Sequence, residues 1–225
     1  MRKIVLDTET TGLDPKKDKI IEIGCVELIN NIPTGQTFHK YFSPGNISIS
    51  EESQNIHGLS NDFLKSFDFF ENNIGELMDF LSNSLIIIHN VSFDLSMINA
   101  VLERMFLKKI DRERCLCTLE LSRKKFPGSK VNLNALCRKF GISLKSRETH
   151  GALVDSFLLA EVYLELLGGK QRNLFIDKKK ETAIVNRVNK INEKHLKTPL
   201  VKLSSDDIQK HKNLMEKLEK PIWNI

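Results

Sequence analysis

The stretch Ile4-Val5-Leu6-Asp7-Thr8-Glu9-Thr10-Thr11-Gly12 decides the reading of this 225-residue chain. Its apolar start reads as a buried strand, and side chains two residues apart on a strand project from the same face. Asp7 and Glu9 therefore converge at the strand's end, where burying like charges is costly unless something compensates them. The usual compensation is a hard divalent cation held by carboxylate oxygens. Taken alone, the hexapeptide also fits a strand ending in a polar turn, with Gly12 and Asp14-Pro15 continuing the loop.

Two further clusters favour the cation. His89-Asn90-Val91-Ser92-Phe93-Asp94 follows the apolar run Leu85-Ile86-Ile87-Ile88, and His150-Gly151-Ala152-Leu153-Val154-Asp155 opens an apolar segment through Leu159, Val162 and Leu166. Asp94 is expected near the start of a helix carrying Leu95, Ile98 and Leu102, and Asp155 within another helix. Strand ends and helix starts are where α/β folds gather their sites. Either cluster alone fits a helix cap or dipole partner; together with the first they define a constellation of four carboxylates and a histidine.

At these residues the chain resembles the exonuclease family named for Asp-Glu-Asp-Asp plus histidine (DEDDh), and its polymerase-associated proofreading members most of all. Asp7-Thr8-Glu9-Thr10-Thr11-Gly12 matches the first family motif, His89-Asn90 with Phe93-Asp94 the second, and His150, Ala152, Leu153, Asp155 and Ala160 the third. Ile56-His57-Gly58-Leu59 matches a segment that approaches substrate. Phe126-Pro127-Gly128 and Asn132-Leu133-Asn134-Ala135-Leu136-Cys137 match the region before the third motif. The resemblance covers roughly residues 1–168. Cys117-Thr118 departs from the family's frequent Asp-Thr, which puts a local hydrogen bond in doubt and leaves the ligand set intact.

The resemblance implies a mechanism, hydrolysis of a 3′-terminal phosphodiester by two metal ions. Asp7, Glu9, Asp94 and Asp155 are expected to hold two Mg²⁺ or Mn²⁺ ions, with Asp7 bridging them. His150 is the expected general base, since neutral imidazole suits that task near neutral pH. The family pattern sets Thr10, Leu13, His57, Asn90 and Phe93 around the terminal nucleotide, Phe93 as a stacking surface tolerant of base identity.

Composition sets broader limits. A chain of this length can bury one full core and carry an appendage. No apolar stretch approaches the ~18 residues of a membrane span, and the N-terminus enters a strand without the pattern of a signal peptide. Cys25, Cys115, Cys117 and Cys137 lack zinc-site spacing and read as reduced thiols, so a cytoplasmic protein is expected. The net charge of +5 is unevenly spread: residues 1–169 hold 20 Lys+Arg against 22 Asp+Glu, residues 170–202 hold 10 against 3, and residues 203–225 hold 4 against 4. A slightly acidic nuclease domain should hold DNA weakly by itself, because phosphate neutralisation supplies most non-specific affinity. The basic segment fits either a solvated linker or a DNA contact.

Periodicity and turn signals predict strands at 3–7, 20–29, 36–42, 85–89 and 113–117, the second and third joined around Asn30-Asn31. Helices are expected near 51–56, 60–65, 74–83, 93–106, 118–125, 132–139 and 151–167. A meander followed by alternating helices and strands implies an α/β fold, a mixed sheet flanked by helices; the resemblance makes it ribonuclease H-like, with a flexible C-terminal tail. Gly168-Gly169 marks a boundary. The expected organisation is an exonuclease domain over 1–169, a basic linker over 170–203 and a polymerase-binding segment over 204–225.

The tail carries two partner signals. Gln171-Arg172-Asn173-Leu174-Phe175 resembles the peptides by which bacterial proteins dock on the sliding clamp, where Gln171, Leu174 and Phe175 would enter a pocket; packing of Leu174 and Phe175 on the domain is the alternative. Ser204-Ser205-Asp206 reads as a helix start, followed by Ile208, His211, Met215 and Leu218 at helical spacing with Leu214 beside them. Trp223 beyond that helix reads as an interface anchor, in the place where the resembled proteins bind the catalytic alpha subunit of DNA polymerase III. The expected function is removal of mismatched 3′-terminal nucleotides from DNA. A free-standing exonuclease acting on RNA or short oligonucleotides needs no such tail, and a catalytically dead scaffold would have lost a ligand.

Overall fold

The computed structural model describes residues 1–145, 150–169 and 204–216, which fall in two units, Met1–Arg172 and Asn173–Ile225. In the first unit, β1 (Arg2–Thr10) is the middle of a five-stranded sheet ordered β3-β2-β1-β4-β5. It runs antiparallel to β2 (Ile20–Ile29) and parallel to β4 (Leu85–Ile88), which pairs in parallel with β5 (Cys115–Cys117). β3 (Ile32–Tyr41) closes the β2 side as an antiparallel edge. Asn30 and Asn31 link β2 and β3 with φ of 52° and 67°, the left-handed pair that a two-residue hairpin turn requires. The sheet is mixed and helix-flanked, as the sequence predicts.

Strand alternation sorts the core onto two faces. Ile4, Leu6, Ile86 and Ile88 join one buried cluster with side chains from α3 (Phe70–Leu81) and α4 (Val91–Arg104). Val5 and Ile87 join the other with α6 (Leu133–Phe140) and α7 (Ala152–Leu166). Each fully buried Ile or Leu contributes about 1.5–3 kcal/mol relative to exposure, so a one-residue slip of β1 would invert the whole pattern. Between these elements lie α1 (Glu51–His57), α2 (Asn61–Leu64) and α5 (Thr118–Lys125).

Two boundaries differ from the predicted ones by four residues. β3 starts at Ile32, four residues earlier than the sequence suggests, despite Pro33 and Gly35. It is an edge strand exposed over most of its length, where a proline's missing N–H faces solvent at no cost. α3 begins at Phe70, because Phe70 and Ile74 are both buried on the face that Leu77 and Leu81 continue.

In the second unit the described residues form α8 (Ser205–Glu216). The Ser204 hydroxyl accepts the Asp207 amide at 3.1 Å, the cap expected at Ser204, and Lys210 pairs with Asp206 one turn away at 2.6 Å. Ile208 and Leu214 are exposed. Among the described residues no helix is long and apolar enough to cross a membrane.

Candidate active site

β1 is longer than β4, and the difference makes the site. The two strands pair through Val5–Ile87, and β4 ends at Ile88 while β1 runs on to Thr10 against β2. Asp7 and Glu9 sit on this overshoot with the parity of Val5, and so on the α7 side of the sheet. Thr8 has the opposite parity, and its hydroxyl donates to Asp94 Oδ1 across 2.7 Å. α4 starts immediately beyond β4, so its first turn fills the space past the shorter strand and delivers Asp94. The site thus opens at the carboxyl ends of β1 and β4, the usual crevice of such sheets.

Gly24 delivers the fourth carboxylate. It lies opposite Asp7 in the β1–β2 ladder, and a Cβ placed there would stand 2.2 Å from the Leu153 amide nitrogen. Only a hydrogen at this position lets the first turn of α7 rest on the sheet. Ser156 fixes the contact by donating to the Gly24 carbonyl at 2.8 Å, in a buried hydrogen bond. Asp155, one residue away, is thereby held beside the β1 carboxylates.

His150 stands just ahead of α7, its backbone N–H donating to the Ile56 carbonyl at 3.2 Å. Its Nδ1 is 3.4 Å from Asp155 Oδ2, with the ring about 40% exposed and the carboxylate only 4%. Glu9, His150 and Asp155 each offer a ligand atom within 4.8 Å of the others. A cavity of about 330 Å³ opens over all four carboxylates and His150, with Asn90, Phe93 and Asn132 on its walls. Burial pushes the Asp94 carboxyl up to about 7, against the Thr8 hydroxyl and backbone amides, which favour its charged form. Buried oxygens crowded at the mouth of one cavity, one of them driven toward its protonated form, are chemically suited to a divalent cation.

The sequence-predicted residues divide between this cavity and its neighbours. Asn90 and Phe93 line it, Phe93 also packing partly on the α3–α4 core. Thr10 is buried, its hydroxyl donating to the Gly12 carbonyl at 2.7 Å. Leu13 is 78% exposed and borders a separate cavity beside α1. His57 is buried; its Nδ1 accepts the Leu59 amide at 3.0 Å, and burial holds its pKa below the ordinary value. It lines an adjoining cavity of about 470 Å³ that His150 shares. Gln171, Leu174, Phe175 and Trp223 lie outside the described residues.

Sequence reasoning passed over four contributors. Glu22 is 2% exposed in the largely apolar β2, directly opposite Glu9, and meets His39 Nε2 at 2.7 Å. An acidic residue inside Ile20-Ile21-Glu22-Ile23 is a visible signal for it. Thr8 and Gly24 act through long-range contacts that no local pattern announces, whereas Asn132 caps α6 by accepting the Ala135 amide at 2.8 Å. At Cys117-Thr118 the local hydrogen bonding is kept by other atoms: Thr118 Oγ1 meets His89 Nδ1 at 2.9 Å and the Cys117 thiol donates to the His89 carbonyl at 3.4 Å.

Known proteins of similar sequence and shape carry the same frame. The family model described as Exonuclease matches residues 4–163, and the chain belongs to that family. Across 231 residues it is 40% identical to DNA polymerase III subunit epsilon of Rickettsia conorii, covering 99% of both chains. The epsilon subunit of Buchnera aphidicola subsp. Baizongia pistaciae is 35% identical over 99% of this chain and 94% of its own. Among exonucleases, then, this chain belongs with the DNA polymerase III epsilon subunits. In shape it is similar to the nuclease domain of 3′hExo, a DEDDh family member bound to rAMP, at a TM-score of 0.63 and 20% identity over 74% of this chain and 91% of that one.

Proposed function

We propose that this chain removes mismatched 3′-terminal nucleotides from DNA, as the proofreading exonuclease attached to a replicative DNA polymerase. The observation that carries this reading is similarity to epsilon subunits over 99% of the chain, tail included, joined to a carboxylate-lined cavity at the end of β1. A free-standing nuclease would share the site and not the tail.

Asp7, Glu9, Asp94 and Asp155 would hold two divalent cations, Mg²⁺ or Mn²⁺. Bound there, the cations would supply charge stabilisation at the phosphate and a water of lowered pKa. His150 would accept the proton of the attacking water. The Ile56 carbonyl, by accepting the His150 amide, fixes the backbone that presents the ring. Phe93 offers a stacking face for the terminal base and Asn90 a polar contact to the same nucleotide, with Thr10, Leu13 and His57 in supporting positions around them. Residues 1–169 form the nuclease; Gln171, Leu174 and Phe175 dock on the sliding clamp, and the segment over 204–225 docks through Trp223 on the alpha subunit.

Excision of a 3′ mismatch from a labelled primer tests the site. Asp155→Ala should abolish it while the chain stays folded, because losing one carboxylate also relieves repulsion. His150→Ala should lower turnover by roughly 10²–10⁴-fold, the usual contribution of a general base. Near wild-type excision by the Asp155 variant would overturn the assignment.

A further inference from the structure

Charge on the nuclease unit is sorted by position. Between Leu121 and Lys145 the chain holds seven Lys or Arg and no Asp or Glu, although residues 1–169 together hold 20 against 22. Between Tyr41 and Leu64 the pattern reverses, with three acidic residues and no Lys or Arg. Both stretches border the site. The second contains α1, whose Ile56 carbonyl carries the His150 backbone; the first contains α5 and α6.

The two helices determine where the cations lie. Both begin at the catalytic cavity: Thr118 opens α5 against His89, and Asn132, the cap of α6, lines the cavity wall. Both then lead away from it. Lys125 at the end of α5 donates to the Leu166 carbonyl at the far end of α7 across 2.9 Å, and Phe126, just past α5, meets Phe140, the last residue of α6, with ring centroids 5.9 Å apart. Each helix has eight residues, or roughly 12 Å at 1.5 Å per residue. Arg123, Lys124 and Arg138 are therefore carried roughly 8–9 Å outward from the helix starts, and Lys130 lies on the returning loop two residues before Asn132.

These side chains are also unmatched. Several cations elsewhere meet carboxylates: Arg2 with Glu27, Lys19 and Arg104 with Glu71, Lys40 with Glu76. Arg123, Lys124, Lys130 and Arg138 are exposed, and among the described residues none of them pairs with a carboxylate. An exposed basic surface on two helices that start at a nuclease cavity is complementary to a phosphate backbone approaching from that side.

We propose that the α5–α6 block is a binding track for the phosphates 5′ of the scissile bond, guiding the 3′ end of a single DNA strand into the cavity. This rests on the exonuclease reading above and adds the direction of approach. The weak net charge of the unit thus conceals a local, one-sided affinity.

The test uses the full-length chain and a variant carrying Arg123→Gln, Lys124→Gln, Lys130→Gln and Arg138→Gln. Binding of a short oligothymidylate, with Ca²⁺ as the divalent ion, is followed against salt. For single strands the slope of log K on log salt changes by about 0.7 for each phosphate contact, so the variant's slope should be shallower by roughly that amount for each cation engaged. Hydrolysis is compared on the oligonucleotide and on the p-nitrophenyl ester of thymidine 5′-monophosphate, which has no upstream phosphate. The ratio of their kcat/KM values should fall about tenfold or more in the variant, a modest share of the salt-sensitive affinity such contacts supply. An unchanged salt slope together with an unchanged ratio overturns the track. So does a variant that binds the oligonucleotide normally and loses its hold on the polymerase, which would make the surface a protein dock. A wild-type chain that hydrolyses neither substrate brings down the exonuclease reading instead, and the salt slope still decides the track.

Discussion

Asp94 is a carboxylate at odds with its surroundings. Burial lifts its pKa from 3.8 to about 7, so the metal-free fold holds a proton there that the unfolded chain releases at lower pH. A raised native pKa stabilises below the unfolded value and loses that contribution as pH rises through the folded one. The metal-free protein should therefore melt at falling temperature as pH rises from about 4 to about 7, through this group. Asp94→Asn keeps an acceptor for Thr8 and removes the titration. Thermal melts in a chelator across that range should show a flatter profile for the variant; parallel profiles would mean that the proton is not held at Asp94. In the presence of a divalent cation the sign should reverse, since the cation competes with the proton for the same oxygens.

At the scale of elements, β1, β2 and α7 could be read directly from sequence by simple patterns: the apolar run Ile4-Val5-Leu6, the largely apolar run over 20–29, and helical recurrence in Leu159, Val162 and Leu166. The start of β3 was hidden by Pro33 and Gly35, which signal a turn locally and are harmless on an edge. The carboxylates were equally visible, since their chemistry is written in residue type. Their support was not: Gly24 matters only because α7, more than 120 residues further on, rests there. Gly24→Ala would place a methyl group against the α7 backbone, where no rotamer can relieve it. The expected cost is at least the ~1–3 kcal/mol of core overpacking, with mismatch excision lost well before the chain unfolds. A calorimetric melt paired with an activity assay at 25 °C checks both; an active, fully stable variant would show that α7 can stand further from the sheet than it does here.

At the scale of the whole molecule, the nuclease unit and the tail should be separable. Residues 1–169 alone should degrade single-stranded oligonucleotides about as fast as the full chain and fail to co-purify with the alpha subunit. Trp223→Ala should weaken that association by on the order of 2 kcal/mol or more, the usual effect of truncating a buried aromatic anchor. Replacing Leu174 and Phe175 by Ala should weaken clamp binding and spare the polymerase contact. Gel filtration with each purified partner measures the two losses independently; a full-length chain that binds neither partner at micromolar concentration would favour a free-standing nuclease.

The overshoot of β1 past β4 has a consequence for motion. Up to Val5 the strand is held on both sides, by β2 and β4, and its amides should exchange with solvent only when the domain opens as a whole. From Asp7 onward the ladder continues on one side, with the Thr8–Asp94 bond bridging the other. That half of the strand belongs to a smaller, less stable cooperative unit, so the catalytic mouth can breathe while the core stays shut. Amide exchange in the metal-free protein should accelerate between Val5 and Glu9, and a bound cation, by drawing the carboxylates together, should slow it again. The enzyme would then lose its grip on substrate at a temperature below the one at which it melts.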